Sequence, residues 1–176
     1  MMKKITDCAG KELVWKQPAA LRMEFELHAA DEVCATLNFR SMFGSFATAR
    51  SGDGCWTFKR AGFFRPTVTV RRCDSETDLT VFHNNTWSGG GTLQLQDGRT
   101  IRATTSFWLT RSEFTTESEE PLIRFTPGGF IHTRCGVEIL PGALKLEELP
   151  WLVCLGAYLA ILLRRDTSGA AAAAAG

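Results

Sequence analysis

The sequence predicts an all-β domain with one C-terminal helix: an antiparallel barrel of about twelve strands enclosing a central hydrophobic α-helix. Three observations carry this expectation. Short runs of two-residue periodicity recur from residue 12 to residue 139. Glycine- and proline-containing turns separate them. A single run near the end, WLVCLGAYLAILL over 151–163, is apolar on every helical face.

The strands rest on alternation, because successive side chains of a strand point to opposite faces. Leu21, Met23, Phe25 and Leu27 alternate with Arg22, Glu24, Glu26 and His28, and Val33, Ala35, Leu37 and Phe39 alternate with Cys34, Thr36 and Asn38. Val68 and Val70 alternate with Thr67, Thr69 and Arg71. Leu93 and Leu95, then Ile101 and Ala103, flank Asp97-Gly98, a pair that favours a tight hairpin with both residues at positive φ. Further punctuation falls at 51–54, 88–91, 127–129 and 141–142. The resulting strands are 12–17, 21–28, 32–39, 45–50, 55–60, 66–72, 78–83, 92–96, 99–105, 107–115, 121–126 and 131–139. No internal repeat is evident.

The helix is expected over about 147–165. Glu147 and Glu148 suit the positive end of a helix dipole, Pro150 suits the first turn, and Arg164 and Arg165 suit the other end. A helix without a polar stripe must be surrounded on all sides. Its apolar stretch, 149–163, is shorter than the ~20 residues that cross a bilayer. It does match a barrel: twelve strands ~4.8 Å apart at a ~40° tilt leave, inside their own side chains, roughly the 10–12 Å that one helix occupies. Residues 1–11 are read as an N-terminal segment, 12–165 as the barrel with its plug helix, and 166–176 as an Ala-rich disordered tail. The plug would present Trp151, Leu152, Leu155, Tyr158, Leu159 and Leu162.

Composition narrows the function more than it names it. The net charge of +1 gives no bulk attraction to nucleic acid. No apolar run follows Lys3 and Lys4, so no secretory leader is expected and the location is read as cytoplasmic. The six cysteines, Cys8, Cys34, Cys55, Cys73, Cys135 and Cys154, show no C-x-x-C spacing; they are read as reduced thiols. His28, His83 and His132 are scattered, and His132 beside Cys135 lacks a second ligand pair, so no metal or cofactor is expected. Ser88-Gly89-Gly90-Gly91 has no Gly-Lys-Ser/Thr continuation, and no G-x-S-x-G element occurs. Asn84-Asn85-Thr86 has sequon spacing without a secretory context. No catalytic set is expected.

The charges are segregated. Arg40, Arg50, Lys59, Arg60, Arg65, Arg71 and Arg72 face only Asp53 in their stretch, whereas 74–120 is dominated by acids. Neighbouring strands would place Arg40, Lys59, Arg60, Arg65, Arg71 and Arg72 on one flank, interleaved with Trp56, Phe58, Phe63 and Phe64. Cations beside aromatics suit an anionic lipid headgroup at a membrane surface. The plainer reading pairs these arginines with acids across strands and puts the aromatics in the core.

The strand-rich body with one apolar C-terminal helix resembles the tubby C-terminal-like superfamily, which includes tubby proteins, phospholipid scramblases and plant LURP-one-related proteins. The cues are the strand count, Trp56-Thr57-Phe58-Lys59-Arg60 followed by Gly62-Phe63-Phe64, and Pro150-Trp151-Leu152-Val153. The resemblance covers Leu13 to Arg165, and by size it is to a bacterial member near the scramblase and LURP-one branches. It implies a twelve-stranded barrel threaded by its last helix and a non-enzymatic module at lipid surfaces. Residues 127–145 hold one acid, Glu138, where a scramblase-like calcium segment needs several oxygen ligands, and the cysteines are not clustered for acylation. Tubby-type phosphoinositide binding has no residue-by-residue match here. The alternatives are a tail-anchored protein with 149–163 as its span, and a purely structural or protein-interaction barrel.

Overall fold

A computed structural model describes residues 1–85, 90–106, 111–128 and 134–175. Twelve strands form one closed antiparallel barrel: β1 (Leu13–Lys16), β2 (Glu24–Ala29), β3 (Glu32–Phe39), β4 (Ala47–Ser51), β5 (Gly54–Ala61), β6 (Thr67–Arg72), β7 (Asp78–Asn84), β8 (Gly91–Gln94), β9 (Thr100–Thr105), β10 (Ser112–Thr116), β11 (Pro121–Gly128) and β12 (Arg134–Ile139). Each strand pairs with its sequence neighbours, and β1 closes the ring on β12 with Leu13 opposite Val137. Parts of the expected strands 107–115 and 131–139 lie outside the described residues, as do Thr86, Ser88, Gly89, Gly129 and His132.

The alternation decides which side chains are dry. Phe25, Leu27, Leu37, Ala47, Ala49, Trp56, Phe58, Val68, Val70 and Phe82 all face inward and are buried. Two residues leave their expected places. Cys34, set on the wet face of its strand by the alternation, is fully buried where the β2–β3 register shifts between Leu27 and His28. Leu21, read as part of a strand over 21–28, lies before β2 and is 83% exposed. The Asp97-Gly98 hairpin is present but is not built from two positive φ angles. Gly98 alone has φ +88°, its N–H donates to the Leu95 carbonyl, and the Leu95 N–H donates to the Arg99 carbonyl. That is a turn followed by a left-handed glycine, the bulged hairpin form; the Asp97 carboxylate accepts the Arg99 backbone N–H at 3.0 Å instead of adopting positive φ.

Helix α2 (Leu149–Ala174) follows a short 3₁₀ turn, Pro141–Lys145. Every residue from Leu149 to Tyr158 is buried, as are Ile161 and Leu162, whichever face of the helix they occupy. The helix is therefore the filling of the barrel. Its seven larger aliphatic and indole side chains, at ~1.5–3 kcal/mol each, contribute on the order of 10–20 kcal/mol of burial. That equals or exceeds the whole net stability of an ordinary domain, so the ring of strands depends on its occupant. No helix among the described residues is long and apolar enough to cross a membrane, and the residues proposed as a span, 149–163, are instead enclosed by strands.

Two segments differ from expectation. The helix does not stop near Arg165 but continues to Ala174, because alanine is the best helix former and the run 170–174 costs little to keep helical. The N-terminal segment, read as separate from the barrel, closes one of its ends through α1 (Ile5–Cys8). Ile5 and Cys8 are fully buried there, and the Asp53 carboxylate accepts the Ile5 N–H at 2.6 Å and the Thr6 hydroxyl at 3.1 Å. Asp53 sits in the β4–β5 turn, whose Gly52 N–H donates to the Lys3 carbonyl.

The cysteines also need correcting. Six reduced thiols were expected, yet Cys55 and Cys73 form a disulfide with Cα atoms 5.4 Å apart. Spacing in the sequence hides this pair because it is made by strand register: Trp56 lies opposite Arg72, which puts Cys55 opposite Cys73. Such a bond persists in oxidising surroundings. Cys8, Cys34, Cys135 and Cys154 are buried and free. Burial pushes the Cys135 thiol up to about 12.

Candidate functional site

The connections β1–β2, β3–β4 and β5–β6 all lie at one end of the barrel, because the strands run up and down without crossovers. The same end releases α2. Tyr158 donates its hydroxyl to the Ser45 carbonyl at 2.6 Å, and Arg165 donates to the Gly44 carbonyl at 3.0 Å. The Arg165 guanidinium also lies over the Phe39 ring, 5.6 Å from its centroid. Ser45 in turn donates to the Arg60 carbonyl. The loop 40–46 is thus fastened to both the helix and β5.

The six basic residues expected on one flank are divided among three places. Lys59 and Arg71 stand on the outer wall, where Arg71 pairs with Asp78 across the β6–β7 register at 2.6 Å. Arg60 points inward at the helix-exit end, and both its terminal nitrogens reach the Asp166 carboxylate, at 2.5 and 3.2 Å. That bond, more than any other influence, raises the Arg60 pKa. Arg72 faces inward at the opposite end, beside Trp56 and Trp151. Arg40 and Arg65 belong to the loops at the helix-exit end and are exposed, with no ion-pair partner among the described residues. The division follows from strand geometry: 59 and 60, like 71 and 72, are consecutive and must face opposite ways.

The aromatics divide by the same rule. Trp56 and Phe58 are core residues, whereas Phe63 and Phe64 are 90% and 83% exposed and pack edge to face on each other, centroids 5.2 Å apart. The loops add Leu21, read as a strand residue, and two residues that the sequence reading did not single out, Met42 and Phe43, the last 92% exposed. The available signal was bulky apolar residues inside turn-forming stretches, Met42-Phe43-Gly44-Ser45 and Gly62-Phe63-Phe64-Arg65-Pro66. These five side chains include every strongly exposed large apolar residue of the described chain except Met1 and Leu144. The loops 17–23, 40–46 and 62–66 contain Arg22, Arg40 and Arg65 and no acid. Arg22 has only a long contact, 3.9 Å, to Glu24.

The candidate site is therefore an apolar rim of three acid-free loops around the emerging helix, whose Asp166 is taken up by Arg60. Of the plug residues, Trp151, Leu152, Leu155, Tyr158 and Leu162 are buried and Leu159 is half-buried below this rim. Tyr158 packs against Phe39 and Phe58, with centroids 5.5 and 5.3 Å away. Among the described residues, no group of three or more His, Cys, Asp or Glu side chains could hold a metal ion. Compared with known proteins, the chain matches no family model, no curated protein and no solved structure.

Proposed function

We propose that this protein is a non-enzymatic barrel module of the tubby/scramblase-like class that docks the helix-exit rim on an anionic membrane surface. The observation that carries the reading is the gathering of Leu21, Met42, Phe43, Phe63 and Phe64 with Arg22, Arg40 and Arg65 at one end, without an acid in their loops. An apolar patch of this kind, bordered by cations, suits the boundary between headgroups and acyl chains. Each arginine near an anionic leaflet adds about 1 kcal/mol. The strand count and the enclosed helix support the tubby-like assignment, and the rim supports a location peripheral to a membrane.

Vesicle co-sedimentation tests the proposal. The protein should pellet with phosphatidylserine-containing vesicles and less with purely phosphatidylcholine ones. Replacing Phe43, Phe63 and Phe64 together by serine, at about 1 kcal/mol of lost insertion each, should weaken binding by about 100-fold. Equal pelleting on both vesicle types removes the headgroup claim, and unchanged binding by the triple variant removes the rim.

A further inference from the structure

At the closed end of the barrel, opposite the rim, lies a cleft of about 390 Å³. That is within the range of small-ligand sites, whereas the crevices beside α2 near its exit, about 20 and 40 Å³, hold little more than a water. Trp56 and Arg72 line the cleft from opposed positions of β5 and β6; Glu147 precedes α2, and Trp151 lies in its first turn. Thr6 of α1 and Gln96 of the β8–β9 turn complete the polar wall.

We infer that this cleft binds a small zwitterion carrying an ammonium group and an oxyanion. Four ionic side chains line it, and two are already committed. Asp53 accepts from the Ile5 N–H, the Thr6 hydroxyl and the Ser51 hydroxyl. Glu148 pairs with Arg99 at 3.1 Å. The side chains of Arg72 and Glu147 have no hydrogen-bond or ion-pair partner among the described residues, although they have opposite charges and border the same cavity. No ion pair forms between the two exposed side chains, so each leaves its charge to whatever enters the cleft. An anion alone leaves Glu147 unanswered, and a cation alone meets Arg72. A ligand with both charges answers both. Trp56 and Trp151, 3% and 6% exposed, close the cleft on its apolar side. The walls are also cross-linked: the Cys55–Cys73 bond adjoins Trp56 and Arg72, and the Arg99–Glu148 pair joins the β8–β9 turn to the start of the helix.

Titration with phosphocholine tests the site, followed by calorimetry and by the tryptophan fluorescence of the intact protein. Saturable binding is expected, with choline and inorganic phosphate each binding more weakly. Arg72→Gln and Glu147→Gln should each weaken phosphocholine binding by about tenfold or more while leaving vesicle binding at the far end unchanged. Arg72→Lys keeps the charge and should retain part of the affinity, which separates loss of the site from loss of the fold. The inference is overturned by absence of saturable phosphocholine binding, by choline binding as tightly as phosphocholine, or by affinity indifferent to both neutralising variants.

Discussion

Gly156 offers a test of the enclosed helix by sign rather than by size. A Cβ added there would lie 2.0, 2.3 and 2.7 Å from three ring carbons of Phe125. Carbon atoms rest at about 3.5–4.0 Å, so the ring would have to retreat by roughly 1.5 Å. It has little room to do so: Phe125 is 1% exposed and packs edge to face on the equally buried Phe114, centroids 5.8 Å apart. Overpacking of this kind costs about 1–3 kcal/mol. Alanine also improves helix propensity over glycine by about 1 kcal/mol. An overlap this deep belongs at the upper end of the range, so Gly156→Ala should be destabilising by about 2 kcal/mol, a fall of roughly 4–8 °C in Tm. On an open helix the same change would be stabilising. Gly169 provides that comparison, since a Cβ there meets nothing within 4 Å; Gly169→Ala should raise helicity without lowering stability. Urea unfolding followed by circular dichroism reads both. A Gly156→Ala protein as stable as the parent, or more so, would refute the packing of α2 against β11.

Tyr158 is the only tyrosine, so its ionisation can be followed alone in the near-ultraviolet. Burial raises its pKa to about 12, against the smaller opposing influence of the Arg60 charge. The unfolded chain loses this proton near 10 and the folded one near 12, so stability should fall as pH rises through that window, by up to about 2–3 kcal/mol. A tyrosine titrating near 10 in the folded protein would place the helix outside the barrel. The Cys55–Cys73 bond closes a loop spanning 18 positions; reducing it, or making Cys55→Ser and Cys73→Ser, should cost about 3 kcal/mol, or roughly 6–12 °C in Tm. An identical melting curve in reductant would show that the β5–β6 pairing already holds these strands.

The barrel was legible because burial in a closed sheet writes a period of two into the chain. Phe25–Leu27, Val68–Val70 and Leu93 read correctly as inward residues, and the unbroken apolar run after Pro150 demanded surroundings on every side, of which the barrel fitted its length better than a bilayer. The site was less legible, for two physical reasons. Charge was read by its position along the chain, yet a strand separates neighbours, so Arg60 and Arg72 went inward at opposite ends while Lys59 and Arg71 went outward. Leu21 was read as a strand residue and Met42 and Phe43 were passed over, while Phe63 and Phe64 were grouped with Trp56 and Phe58, which are core; nothing in periodicity distinguishes a phenylalanine that seeks protein from one that faces out of a turn. The disulfide, set by register between strands rather than by spacing, was invisible for a related reason.

The order of synthesis gives the central helix one more consequence. All twelve strands leave the ribosome before α2 does, so the nascent chain carries a lining of phenylalanine, leucine and tryptophan with nothing yet to cover it. Closure also waits for β12 to find β1, whose pairing residues are separated by well over a hundred positions. Contacts that distant form slowly, and the exposed lining invites association in the meantime. The barrel should therefore close only once α2 has emerged, with that helix acting as the latch.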